Sequence, residues 1–155
     1  MTLKMVRSLS RRFAVRSSAI HGRGVFALKR IPKGSRVIEY TGERISHKEA
    51  DRRYRDAHEN SPHTMLFTVD DKIVIDATRR GSSARWINHS CSPNCEAVDE
   101  GGRIFIETCR DIPPGEELTY DYNLQLDEAH TAAAKRRYAC ACGARGCRKT
   151  LLGSR

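Results

Sequence analysis

Acidic residues are absent from both ends of this chain. Residues 1–36 hold ten Lys or Arg and no Asp or Glu, and residues 135–155 hold seven and none. Also absent is any apolar run near the ~20 residues that a bilayer-crossing helix needs. The basic N-terminus has no continuous apolar stretch, so no secretory signal peptide and an intracellular setting are expected. G-x-x-x-x-G-K-[ST], H-E-x-x-H and G-x-S-x-G do not occur, which argues against P-loop, zincin and α/β-hydrolase chemistry. The glycines of HGRG (residues 21–24) miss the G-x-G-x-x-G spacing, and no βαβ pattern surrounds them. Repeat periods and low-complexity tracts are missing as well.

The 155 residues present have room for one core and not for two full-sized domains. The net charge of +9 suggests nucleic-acid affinity as a bulk figure. Its distribution says something else. Residues 37–134 carry eleven basic and nineteen acidic side chains, a net of 11 − 19 = −8.

Six cysteines are present: Cys91, Cys95, Cys109, Cys140, Cys142 and Cys147. The C-x-C-x4-C run at 140–147 gathers three sulfurs tightly and suits a soft tetrahedral metal, with disulfides or free thiols as alternatives. A fourth ligand would come from Cys91 or Cys95 in HSCSPNC, and spacing does not choose between them.

Local patterns predict many short strands. No firm period marks residues 1–16, which read as a basic, peripheral arm. Ser46 followed by Glu49 forms a capping box that predicts a helix over about 47–57. MLFTV and KIVIDA (65–69 and 72–77) read as a hairpin around Asp70-Asp71, and residues 96–109 as a second one turning at Gly101-Gly102. GSSARW (81–86) opens as a helical turn, and residues 127–137 read as a short helix or linker. Two Ile-Pro-x-Gly turns, at 31–34 and 112–115, each precede a strand. In LTYDY (118–122), period two puts Leu118, Tyr120 and Tyr122 on one face. Such tyrosines serve as half-buried core or as the wall of a channel. The Asn88-His89 pair either holds its own loop or touches a ligand.

Taken in order, HGRGVFA, GSRVIEYTGE, the 74–95 segment ending in INHSCSPNC, IPPGEELTYDY and CACGARGCRKTLL resemble the SET-domain protein-lysine methyltransferases, over roughly residues 15–152. VDDKIVIDAT and CGARGCRK resemble the histone H3 lysine-4 class. The resemblance implies a mainly β fold, a β-clip of small curved sheets with a pseudoknot, and a C-terminal zinc-bound post-SET segment. Residues 1–16 would be the arm, 17–126 the SET domain, and 127–155 the linker and post-SET segment. It implies S-adenosylmethionine as cofactor and a structural zinc ion. His21, Gly22, Arg23, Gly24, Asn88 and His89 match the cofactor-binding stretches, and Met65 stands where relatives often place a cofactor-contacting aromatic. Tyr122 matches the essential tyrosine, Tyr120 the position that tunes methyl number, and Tyr40 a channel residue. Cys91 matches the fourth metal ligand beside Cys140, Cys142 and Cys147, which leaves Cys95 and Cys109 as small buried residues. Trp86 takes the place of a usual phenylalanine.

The activity so implied is lysine methylation of a basic protein or peptide such as a histone tail, mainly to mono- and dimethyl states. An acidic middle suits such a partner, and the basic ends are expected to add weak DNA contact. The location follows the target, cytoplasmic for the cell's own proteins or nuclear for chromatin. A catalytically weak SET fold that only binds protein is the alternative. A zinc-dependent nucleic-acid binder is a third reading, supported by the basic ends and opposed by the acidic middle.

Overall fold

The structure, a computed structural model, describes residues 11–54, 65–126 and 129–153. β1 (Phe13–Ser17) and β2 (Arg23–Ala27) form an antiparallel pair, in register from Phe13 opposite Ala27 to Ser17 opposite Arg23. Phe13–Arg16 therefore belong to a strand rather than to a peripheral arm. Phe13 and Val15 pack against the main core, which the surrounding basic residues concealed in the sequence. Residues 1–10 of the expected arm lie outside the described residues.

β3 (Arg36–Tyr40) pairs with β9 (Arg103–Thr108), and β9 with β8 (Cys95–Glu100). The central strand buries Ile104, Phe105 and Ile106 in succession, so both of its faces are covered. Guanidinium groups do part of this, with Arg36 and Arg103 lying 3.9 and 5.0 Å from the Phe105 ring centroid. The β8–β9 hairpin turns at Gly101-Gly102, both at positive φ. A second three-stranded sheet holds β4 (Glu43–Ile45), β6 (Val74–Asp76) and β5 (Leu66–Thr68), with β6 central. The hairpin around Asp70-Asp71 forms because the Asp70 carboxylate accepts the N–H groups of Lys72 and Ile73.

Helix α1 (His47–Tyr54) starts on Ser46, whose Oγ accepts the Glu49 N–H at 3.1 Å. The Glu49 carboxylate turns to Arg52 and Arg53, and the expected extension to Ala57 lies outside the described residues. Arg53 ties α1 to the sheet through Glu43 and the buried Asp76. Helix α2 (Ala132–Arg137) is capped by Thr131, whose Oγ accepts the Ala134 N–H. No described helix is long and apolar enough to cross a membrane.

The two Ile-Pro-x-Gly turns pair with each other. Ile31 and Ile112 exchange both backbone hydrogen bonds at 2.8 Å, and both side chains are fully buried. This fixes the strands that leave them. After the 3-10 turn Ser83–Trp86, β7 (Asn88–His89) lies parallel to β10 (Thr119–Tyr120). Buried Asn94 locks this crossing: its Nδ2 donates to Glu117 O, its Oδ1 accepts the Thr119 N–H, and its own carbonyl accepts the Cys109 N–H, each at 2.8 Å. The main core runs beneath, from Val25 and Ile75 to Ile87 and Leu118. A smaller cluster of Tyr138, Leu151 and Leu152 packs with Leu124, Leu126 and Cys140, seating the C-terminal segment.

Candidate functional site

The β1–β2 turn carries HGRG. It is pinned from below by a carboxylate absent from the sequence prediction. Glu117 accepts the Ser18 hydroxyl at 2.8 and 2.9 Å and the Asn88 Nδ2 at 2.8 Å. Asn88 Nδ2 also donates to the carbonyls of His21 and Arg23. Gly24 is required here, because a Cβ would stand 2.2 Å from Glu117 Oε2. His21, Gly22 and Arg23 are exposed above this support. The Arg23 guanidinium lies 5.4 Å from the Trp86 ring centroid, and Trp86 packs against the main core.

Ile20 and His21, with Asn88, His89 and Tyr122, form one wall of a cleft. Ala139, Cys140, Ala141 and Leu151 form the other. The cleft encloses about 50 Å³, less than a nucleoside fills, so such a ligand would lie partly outside it. Apolar Ile20, Ala139, Ala141 and Leu151 suit a ring face, and the polar side chains of His21 and Asn88 suit its heteroatoms. These residues fit S-adenosylmethionine.

His89 is buried between β7 and the tyrosine strand. Its Nδ1 accepts the Tyr122 N–H at 3.0 Å, which places the ring proton on Nε2, 3.3 Å from Cys91 Sγ. Burial holds its pKa down to about 4 against the pull of Asp121, so the ring is neutral at physiological pH. The 3.6 Å approach of Asp121 is therefore no salt bridge under those conditions.

The aromatic rings form a row. Tyr40 lies 5.2 Å from Phe67, Phe67 6.4 Å from Tyr120, Tyr120 4.9 Å from Tyr122, and Tyr122 5.3 Å from His89 in a T-shaped contact. Tyr122 thus belongs both to the cleft and to the row. Its hydroxyl donates to Ile87 O at 2.5 Å. Burial raises the pKa of Tyr40, Tyr120 and Tyr122 alike. All three are phenols, not phenolates, at neutral pH. Phe67 completes the row and went unmarked in the sequence, where a lone Phe in a short strand reads as core.

The sulfurs of Cys91, Cys140, Cys142 and Cys147 lie within 4.8 Å of one another. Cys91 Sγ is 3.8 Å from Cys140 and 3.9 Å from Cys147. A tetrahedron with metal–sulfur bonds of about 2.3 Å has edges of about 3.8 Å. None of the four cysteines is in a disulfide. Backbone N–H groups of Ala144, Arg148 and Lys149 reach Cys142, Cys91 and Cys147 at 3.5, 3.3 and 3.3 Å. The sulfurs share protons unequally: against burial, backbone donors and the neighbouring thiols draw Cys142 to about 6, while burial raises Cys91 and Cys140. Four thiolates with outer hydrogen bonds fit zinc.

Met65 does not line this small cleft; partly buried, it packs on the main core, and its carbonyl accepts the Ala77 N–H. Cys95 is buried as expected, but Cys109 is exposed, because its strand ends at Thr108. Leu118, Tyr120 and Tyr122 of LTYDY share one side as expected, all packed at the main core, although β10 stops at Tyr120 and the Tyr122 N–H turns to His89.

Glu117 supports a prediction. Glu117→Gln would turn an amide N–H toward Asn88 or Ser18 in place of an acceptor. The turn at 18–24 should loosen, weakening S-adenosylmethionine binding about tenfold, or about 1.4 kcal/mol. Calorimetry checks this; an unchanged Kd contradicts the supporting role.

A SET-domain family model matches residues 22–123. The chain is similar to the histone-lysine N-methyltransferase trithorax of Drosophila virilis, 44% identical over 86% of this chain and 3% of the relative. It is also similar to the H3 lysine-4-specific histone-lysine N-methyltransferases of Chaetomium globosum and Schizosaccharomyces pombe. Each is 43% identical over 86% of this chain, which spans 12% and 14% of their lengths. The mainly β fold with its β7–β10 crossing and cysteine cluster accords with these matches.

Proposed function

The chain belongs to the SET-domain family, and we propose that it is a protein-lysine N-methyltransferase acting on a histone or similar basic protein. The observation that carries this reading is the double membership of Tyr122. Its ring lines the cleft and also lies 4.9 Å from Tyr120 in the aromatic row, which supports a cofactor and a lysine stem meeting there. Bound S-adenosylmethionine supplies an electrophilic methyl group on a sulfonium.

The chain's own residues do the rest. A lysine amine, with a pKa of about 10.4 in water, attacks only when neutral. Walls made by Tyr40, Phe67 and Tyr120 disfavour the ammonium by desolvation. The raised phenol pKa values keep these side chains protonated, so they orient the amine and do not take its proton, which leaves to solvent before methyl transfer. Alignment at Tyr122 supplies much of the rate. His21, Asn88 and His89 hold the cofactor side, and the four cysteines hold zinc as a structural element. A lysine-4 preference on histone H3 is inferred from the relatives' names, and a histone target would place the protein in chromatin.

The direct test is methyl transfer from labelled cofactor to histones and to other basic proteins, with the modified lysine mapped by mass spectrometry. Binding of a histone peptide without any transfer would favour the binding-module reading. Salt-dependent DNA binding measured in parallel tests the basic ends.

Tyr120 sets the expected product. It is buried, and its ring lies 4.9 Å from that of Tyr122. The unaltered protein should make mono- and dimethyllysine, and Tyr120→Phe should shift products upward. Mass spectrometry of a modified peptide reads this, and dominant trimethylation before any substitution would overturn it.

A further inference from the structure

Arg148 joins three parts of the molecule. Its backbone N–H donates to Cys91 Sγ at 3.3 Å. Its guanidinium grips both oxygens of Asp121, at 2.7 and 3.1 Å, and also reaches Leu152 O at 3.3 Å. Asp121 stands between Tyr120 and Tyr122, and its Oδ1 accepts the Asn123 N–H at 2.8 Å. That carboxylate therefore fixes the turn directly after Tyr122. His89 Nε2 lies 3.3 Å from the same sulfur, and its Nδ1 accepts the Tyr122 N–H. Two arms thus connect Cys91 to residues 121–123.

The second wall of the cleft rides on the segment that Arg148 anchors. The ion pair is partly shielded, with side chains 31% and 35% exposed. Its fork geometry specifies orientation as well as attraction, which a lysine does not reproduce.

We propose that Arg148 is a positioning residue: through Asp121 it fastens the cysteine-bound segment to the tyrosine strand and sets the gap between the cleft walls. Cofactor affinity and metal retention then change together. The cofactor named here rests on the function proposed above; the anchoring does not.

The test uses the full zinc-loaded chain with Arg148→Ala, Arg148→Lys and Asp121→Asn. Arg145→Ala, on an exposed turn of the same segment, controls for lost charge. Calorimetry reads the S-adenosylmethionine Kd, and a chromogenic chelator reads the rate of zinc release. Arg148→Ala and Asp121→Asn should each raise Kd and speed release by about fivefold, as expected for a lost charge-assisted fork. Arg148→Lys should fall between, Arg145→Ala should match the unaltered chain, and the Arg148→Ala/Asp121→Asn double variant should be no worse than either single one. Unchanged release from Arg148→Ala, or equal effects from Arg145→Ala, overturns the proposal. If Arg148→Ala does not fold, unchanged Kd and release in Arg148→Lys and Asp121→Asn overturn it. An unaltered chain that binds cofactor and zinc but methylates nothing refutes the enzyme reading and leaves these readouts decisive for Arg148.

Discussion

Tyr122→Phe is expected to lower kcat for methyl transfer roughly 100-fold or more, the scale seen when one preorganised hydrogen-bonding group leaves an active site. The aromatic ring survives this change. It keeps its place 4.9 Å from Tyr120 and 5.3 Å from His89, so the cleft wall and cofactor KM should move little. What disappears is the hydroxyl. Its bond to Ile87 O goes with it, and Ile87 is almost wholly buried. An unpaired buried carbonyl costs about 1–3 kcal/mol of stability, so unfolding must be measured beside activity. The pH profile separates orientation from base catalysis. The phenol is held protonated by burial, with its pKa raised. The group whose deprotonation limits the rate is then the substrate lysine, and activity should climb as pH rises toward the lysine pKa. Tyr122→Phe should keep that rising limb at a lower height. A flat profile in the variant would assign the proton transfer to Tyr122 and contradict the mechanism.

Contacts within a short stretch were legible in the sequence; those made by side chains far apart were not. The Ser46 cap, the Asp70 turn and the Gly101-Gly102 hairpin depend on neighbouring residues and appear as expected. The two Ile-Pro-x-Gly turns were visible as a pattern, while their mutual pairing across 81 residues required the fold. Charge was the most misleading signal. The sequence separates basic ends from an acidic middle, yet Arg30 pairs with Asp111, Arg36 with Glu100 and Glu107, and Arg148 with Asp121. Folding brings the two signs together, so four carboxylates of the acidic middle are paired with the basic ends. Glu117 went unnoticed for the same reason. In GEELTYDY it reads as one more strand carboxylate, and only the return of β10 beside β7 sets it under the 18–24 turn.

Removing the metal, by a chelator or by Cys140→Ser, should cost at least as much activity as losing Tyr122 while leaving most of the fold standing. The main core from Val25 to Tyr120 includes none of the four clustered cysteines. The C-terminal cluster is different. It consists of Tyr138, Leu151 and Leu152 with a few partly buried neighbours, Cys140 among them, too little apolar surface to order some 25 residues unaided. Zinc bound by four thiolates supplies folding free energy directly, about 10–16 kcal/mol in isolated finger peptides. Without it, Ala139–Ala141 and Leu151 lose their fixed place, and the cleft loses its second wall. Hydrogen exchange should then show lost protection across residues 129–153 and near-native protection in β3, β8 and β9. Cofactor binding should weaken at least tenfold. Stoichiometric zinc in the purified chain, with activity restored on adding it back after mild chelation, completes the expected result. Full activity in a metal-free protein would separate the cysteine cluster from the site, and collapse of β3, β8 and β9 upon chelation would show that the main core depends on the metal too.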